Sequence, residues 1–262
     1  MLYGTIFGDI AGSTYEFRHC VDYNFTTVPE KSHFTDDTVM TLAVASWLMK
    51  DPNDMNVLVK EMQYFGNSYP KAGYGGMFRK WLTEENPEPY NSFGNGSAMR
   101  VSPCGWVAKS LDEAMTLAKK SAIVSHNHPE GIKGAQAVAG AIYMARYGGT
   151  KEEIKAFVEH TFGYDLDRTI KEIKESGYDF DSTCQGSVPE AIIAFLEGNS
   201  YEEVIRLAIY LGGDADTQAA IAGSIAEAFY EMPGRFIGDV EKRLDKYLLS
   251  VLNEFNNFVS NE

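Results

Sequence analysis

The segment DDTVMTLAVASWLMK, residues 36–50, limits the fold more than any other stretch of the chain. Placed on a helix it is apolar nearly all round, so it must be enclosed by neighbours on every side. It opens on two adjacent carboxylates, Asp36 and Asp37, between the hydroxyls of Thr35 and Thr38. A helix start accommodates them: Thr35 suits the N-cap, and acids in the first turn meet the positive end of the helix dipole. Taken alone, the stretch reads as a heavily charged cap on a buried helix.

The remaining chain supplies the neighbours. Residues 55–69, 110–126, 131–149, 150–163, 166–177, 187–199, 200–213, 215–233 and 238–255 carry helical periodicity with plausible caps. Ser200 with Glu203 fits a capping box, and Gly198 fits the end of the helix before it. Alternating strand patterns are almost absent, and residues 18–34 read most simply as a loop. Gly4, Gly8 and Gly12, at a spacing of four, form a smooth ridge for close helix packing. GAQAVAGAIYMA and AAIAGSIAEA are similarly rich in small residues. The expectation is an all-α fold of about ten or more helices. With 262 residues, no repeat of fixed period and no low-complexity linker, residues 1–262 are expected to form one domain.

Charge narrows the partners. Thirty-seven acidic against 23 basic residues give a net charge of -14, and there is no basic run. That excludes a broad nucleic-acid surface but leaves room for a phosphorylated small molecule held by backbone amides or bound cations. The three cysteines, Cys20, Cys104 and Cys184, are widely spaced with no CxxC pair, which fits a reducing compartment. The first residues lack a basic n-region and include Asp9 and Glu16, so they do not read as a signal peptide. No apolar run is long enough to span a membrane. A cytoplasmic monomer is the expectation, since no coiled-coil segment or exposed apolar stripe stands out.

The acidic opening recurs. LGGDADTQAAIAGSIAEA again sets two acids and a threonine, Asp214, Asp216 and Thr217, before an apolar helix. Residues two apart on a regular helix diverge, but an irregular start after Gly212 and Gly213 lets them converge. Two such starts would gather four carboxylates that a low-dielectric interior cannot leave unpaired. No nearby lysine or arginine in the sequence offers to neutralise them. Oxygen ligands without cysteine or clustered histidine favour Mg²⁺, Mn²⁺ or Ca²⁺ over zinc. His126 and His128 form an HxH pair with no third soft ligand nearby; His128 reads as a polar residue at a helix entrance.

Two loops concentrate glycine, aromatic residues and asparagine. In KAGYGGMF, Gly73, Gly75 and Gly76 surround Tyr74; in NSFGNGSAMR, Gly94 and Gly96 flank Asn95. Exposed amides in such loops can hold phosphate, and Phe93 could stack on a base. Asp9, set among small residues, suits bracing a neighbouring loop.

In order, GDIAGSTYE, TDDT, GYGG, SFGNGSAMR, SHNHP and LGGDADTQ resemble the ADP-ribosylglycohydrolase family, which includes dinitrogenase-reductase-activating glycohydrolase and ARH-type ADP-ribosyl-acceptor hydrolases. The resemblance runs from Gly4 to about Phe229. It implies an all-α orthogonal multi-helix bundle with two Mg²⁺ or Mn²⁺ ions in a cleft. By motif position it makes Thr35, Asp36 and Asp37 one set of metal ligands and Asp214, Asp216 and Thr217 the other. Glu16 becomes a catalytic carboxylate, with Asp37 a helper. Substrate contacts are implied for Gly73, Tyr74, Gly75 and Gly76, for Ser92, Phe93, Gly94, Asn95 and Gly96, and for His126. The implied reaction frees ADP-ribose from a protein side chain or small molecule by cleaving the C1″ glycosidic bond with a water held between the metals. Two other readings remain open on sequence: a non-catalytic ADP-ribose-binding or structural member, and a metal-dependent nucleotide phosphohydrolase.

Overall fold

The structure, a computed structural model, describes residues 1–16 and 22–261. Cys20 and the start of the expected 18–34 loop lie outside the described residues. Residues 22–34 are turns and irregular chain without helix or strand.

Among the described residues the chain is all-α, with no strand and one isolated antiparallel bridge, Gly94 to Thr183. In order the helices are α1 (Tyr3–Gly12), α2 (Asp36–Lys50), α3 (Met55–Ser68), α4 (Gly76–Trp81) and α5 (Gly96–Met99). Then come α6 (Ser102–Val107), α7 (Leu111–Ile123), α8 (Pro129–Arg146), α9 (Lys151–Phe162) and α10 (Ile170–Glu175). The series ends with α11 (Cys184–Glu197), α12 (Tyr201–Leu211), α13 (Ala215–Phe229), α14 (Gly234–Arg243) and α15 (Lys246–Ser260).

Helix α2 is enclosed as its composition demands, with every residue from Asp37 to Leu48 buried. The glycine ridge of α1 meets a matching ridge on α13. A Cβ on Gly4 would come within 2.4 Å of the Gly223 carbonyl oxygen, one on Gly8 within 2.1 Å of that of Ala219, and one on Gly12 within 2.4 Å of that of Ala215. The two ridges share a spacing of four and run antiparallel, so the backbones touch along the whole of α1. Glu227 closes the far end by accepting from the Gly4 amide at 2.8 Å. This contact sets the start of α13 beside the end of α1, where Asp9 and Glu16 lie.

Three local expectations change. The helix expected over 187–199 begins one turn earlier, at Cys184, because Thr183 caps it through the Gly186 amide. Pro189 therefore sits inside α11, a position that costs a backbone hydrogen bond. The segment expected as one helix over 238–255 divides at Leu244. Asp245 caps α15 by accepting from the amides of Tyr247 and Leu248. The box at Ser200 is half formed: its hydroxyl accepts from the Glu203 amide, while the Glu203 carboxylate takes the Asn199 amide instead.

Candidate metal centre and substrate cleft

Asp9, at the last turn of α1, organises the acidic site. It is fully buried and accepts from four donors on the TDDT segment. The Thr35 amide reaches it at 2.8 Å and the Thr35 hydroxyl at 2.7 Å; the Thr38 amide is at 3.1 Å and the Thr38 hydroxyl at 2.5 Å. Thr35 occupies the N-cap position of α2, yet its side chain makes no cap bond. The cap is instead a carboxylate from another helix, which ties α1 to α2 at the residues that matter.

Helix α13 brings the second acidic start to the same place. Asp9, Asp37 and Asp216 each offer an oxygen within 4.8 Å of the others, and so do Glu16, Asp214 and Asp216. The two trios share Asp216. The Asp37 Oδ2 accepts from the Thr217 hydroxyl at 3.3 Å, while its Oδ1 is buried with no partner. Asp36 completes the group. Its amide donates to the Ala72 carbonyl at 2.8 Å, and its Oδ1 lies 3.0 Å from where a Gly73 Cβ would sit. Gly73 also has φ +118, so glycine is required there on two grounds.

Six carboxyl groups thus converge without a lysine or arginine pairing to them among the described residues. Burial first, and their mutual repulsion second, raise Asp36, Asp37 and Asp216 well above the usual carboxylate range. Asp9 is raised by burial, against its four hydrogen bonds. Asp214 is pushed up to about 6 by burial, and Glu16 to about 8 by burial and by the charges of Asp216 and Asp9. An orphaned buried oxygen and two oxygen-only trios fit hard divalent cations.

A cleft of about 480 Å³ opens over this group. Of the residues expected at a site, it brings together Glu16, Asp36, Asp37, Asp214, Asp216, Thr217, Gly73, Gly75, Gly76, Ser92, Gly94, Asn95, Gly96 and His126. Thr35, Tyr74 and Phe93 do not line it. Thr35 is turned onto Asp9, Tyr74 is 2% exposed within the core, and Phe93 is exposed and packs edge-on against His128. Phe180 and Arg100 line the cleft without having been singled out in the sequence. Arg100 closes the NSFGNGSAMR stretch, where the glycines drew the reading, and Phe180 lies between Asp179 and Asp181 with no apolar pattern to mark it.

The SFGNGS turn differs from a simple amide cradle. The Gly94 amide donates to the Ser92 hydroxyl at 3.1 Å and the Asn95 amide to the Ser182 carbonyl at 2.8 Å. The Asn95 side chain reaches Asp214 at 2.7 Å. The turn therefore orients a carboxylate of the acidic group. Its two glycines also make room for His126, whose Nε2 lies 3.1 Å from where a Gly96 Cβ would be and 3.6 Å from a Gly94 Cβ. His126 is buried and held well below the ordinary histidine value by that burial and by the Arg100 charge.

The ADP-ribosylglycohydrolase family profile matches residues 1–257. The chain is 27% identical to ADP-ribosylhydrolase ARH3 of Homo sapiens over 88% of its own length and 84% of the relative's. It is 28% identical to ADP-ribosylarginine hydrolase Tri1 of Pseudomonas putida over 89% of its length and 70% of the relative's. A solved ADP-ribosylglycohydrolase-related protein complex superposes with a TM-score of 0.72 at 24% identity, covering 95% of this chain and 93% of the other, and so shares the fold.

Proposed function

The chain belongs to the ADP-ribosylglycohydrolase family, and on that footing we propose that it is a divalent-cation-dependent hydrolase that frees ADP-ribose from a modified acceptor by cleaving the glycosidic bond at C1″ of the distal ribose. The names of its human and Pseudomonas putida relatives support ADP-ribosyl chemistry. The observation that carries the cation dependence is the pair of buried carboxylate trios sharing Asp216, with the Asp37 Oδ1 left unpartnered.

Asp36, Asp37, Asp214, Asp216 and Thr217 are the residues assigned to hold two Mg²⁺ or Mn²⁺ ions. Asp9 holds the α2 ligands in register from behind. When bound, such ions supply positive charge that orders the ribose hydroxyls and acidifies water. Glu16, half-buried and lining the cleft beside the acidic group, is the carboxylate assigned to take and return a proton. Positive charge builds on the ribose as the bond breaks, and the acidic floor favours it. Ser92, Gly94, Gly96 and His126 are assigned to the diphosphate, and the open backbone at Gly75 and Gly76 to the neighbouring part of the nucleotide.

The test is direct. Arginine-, serine- and nucleobase-linked ADP-ribose and O-acetyl-ADP-ribose are incubated with the protein, first with Mg²⁺ and then with Mn²⁺. Release of ADP-ribose from one or more, lost with EDTA and restored by added cation, is the expected result. Tight ADP-ribose binding with no release from any linkage, or release of inorganic phosphate instead, overturns the proposal.

A further inference from the structure

Arg100 is 1% exposed, and among the described residues no carboxylate lies within ion-pair reach of it. Its Nη2 donates to the Ser121 carbonyl at 2.7 Å and to the Ser125 hydroxyl at 2.9 Å. Guanidinium nitrogens only donate, so the direction of the bond to Ser125 is fixed: its Oγ accepts. The other partner of that Oγ is His126 Nδ1, at 2.8 Å.

A hydroxyl has one hydrogen to give. Ser125 is fully buried, and no other acceptor for that hydrogen is present among its hydrogen bonds. If Nδ1 carried a proton, Ser125 would face two donors and its own hydrogen would be orphaned, an arrangement a buried site does not sustain without cost. Donation from Ser125 to Nδ1 satisfies both the Ser125 hydroxyl and the imidazole nitrogen. A neutral imidazole that accepts at Nδ1 carries its hydrogen on Nε2. That nitrogen faces the Gly94–Gly96 turn, where the amides of Gly94 and Asn95 already donate elsewhere. The histidine N–H is therefore a donor presented to the cleft at this turn.

The geometry points to Arg100 and Ser125 as positioning residues that fix His126 as an Nε2–H donor to an anionic oxygen of the substrate, a diphosphate oxygen, lodged at the Gly94–Gly96 turn. The identity of that anion rests on the function proposed above; the tautomer does not.

The experiment uses the full chain labelled with ¹⁵N-histidine, with His126→Gln identifying the signals of residue 126. Long-range ¹H–¹⁵N spectra should show Nε2 protonated and Nδ1 bare. Ser125→Ala, checked for an unchanged thermal midpoint, should give a mixture of tautomers and weaken ADP-ribose binding about tenfold by calorimetry. A proton on Nδ1 in the unmodified protein, or a Ser125→Ala variant with the same tautomer and affinity, overturns the inference. The expected tautomer and its loss in Ser125→Ala, in a protein that cleaves no ADP-ribosyl bond, would uphold the relay and count against the hydrolase reading alone.

Discussion

In one part of the cleft five carboxyl groups converge in front of a sixth, Asp9, with no lysine or arginine pairing to them among the described residues; in another, Arg100 lies buried with no carboxylate beside it. Charges of both signs line the same 480 Å³, yet they are kept apart. The two parts solve the problem of buried charge differently. Arg100 is satisfied in part by neutral oxygens, and its charge is spent on the tautomer and neutrality of His126. The acidic group has hydroxyl and amide donors for Asp9 and Asp214 but leaves repulsion among the others. On the function proposed above, neutralisation there falls to a bound cation, so binding and folding stability would be linked in that part and not in the other.

The largest expected effect comes from removing the carboxylate that both trios share. Asp216→Asn should lower cation-dependent ADP-ribose release by about a thousandfold or more, measured as initial rate at saturating Mg²⁺. In EDTA the same variant should be more stable than the parent, because one like charge has left a crowded site. An active Asp216→Asn, or one destabilised in EDTA, would break the contrast between the two parts.

The next effect acts from a distance. In Gly8→Ala a Cβ would meet the Ala219 carbonyl at 2.1 Å, forcing α1 from α13. A loss of about 3 kcal/mol in urea unfolding is expected, at the upper end of overpacking costs. Because Asp9 follows Gly8, activity should fall with it, while the His126 tautomer stays as it is. A change at His126 would show that the two parts are mechanically joined.

The smallest effect is in pH. All six carboxyl groups are raised in the folded chain, so the native state holds more protons than the unfolded state above about pH 4. Stability then falls as pH rises, through about 6 for Asp214 and about 8 for Glu16. In EDTA the thermal midpoint should drop by roughly 5 °C between pH 5 and pH 8, and Mg²⁺ should remove most of the drop. A midpoint that rises with pH in EDTA would place the acidic group's charges elsewhere.

Much of this was legible in the sequence because it depends on local spacing. The apolar wheel of residues 36–50, the glycines at 4, 8 and 12, and the repeated Asp-and-Thr helix starts carry the all-α fold and the meeting of two acidic clusters. What stayed hidden depends on which helix lies beside which. Thr35 looks like a cap in any window of sequence; only the docking of α1 hands that task to Asp9. Tyr74 sits in the same glycine loop as Gly73 and Gly76, but core packing turns its ring away from the cleft. Arg100 reads as the end of a short helical run until the 121–126 segment is folded against it. The division at Leu244 had a local sign, the capping carboxylate of Asp245, masked by continuous apolar periodicity on both sides.

The α1–α13 contact also bears on how the chain is made. The two glycine-and-alanine ridges that fit backbone to backbone are about 200 residues apart in the sequence. A helix whose residues from Gly4 to Gly12 are all buried in the native fold can meet α2 soon after synthesis, through Asp9, but lacks its main packing partner until residues 215–229 are made. At cellular rates that interval is on the order of ten to forty seconds. During it, the glycine face of α1 is exposed to any chaperone that reads such surfaces, and the acidic site holds only its Asp9 and TDDT half.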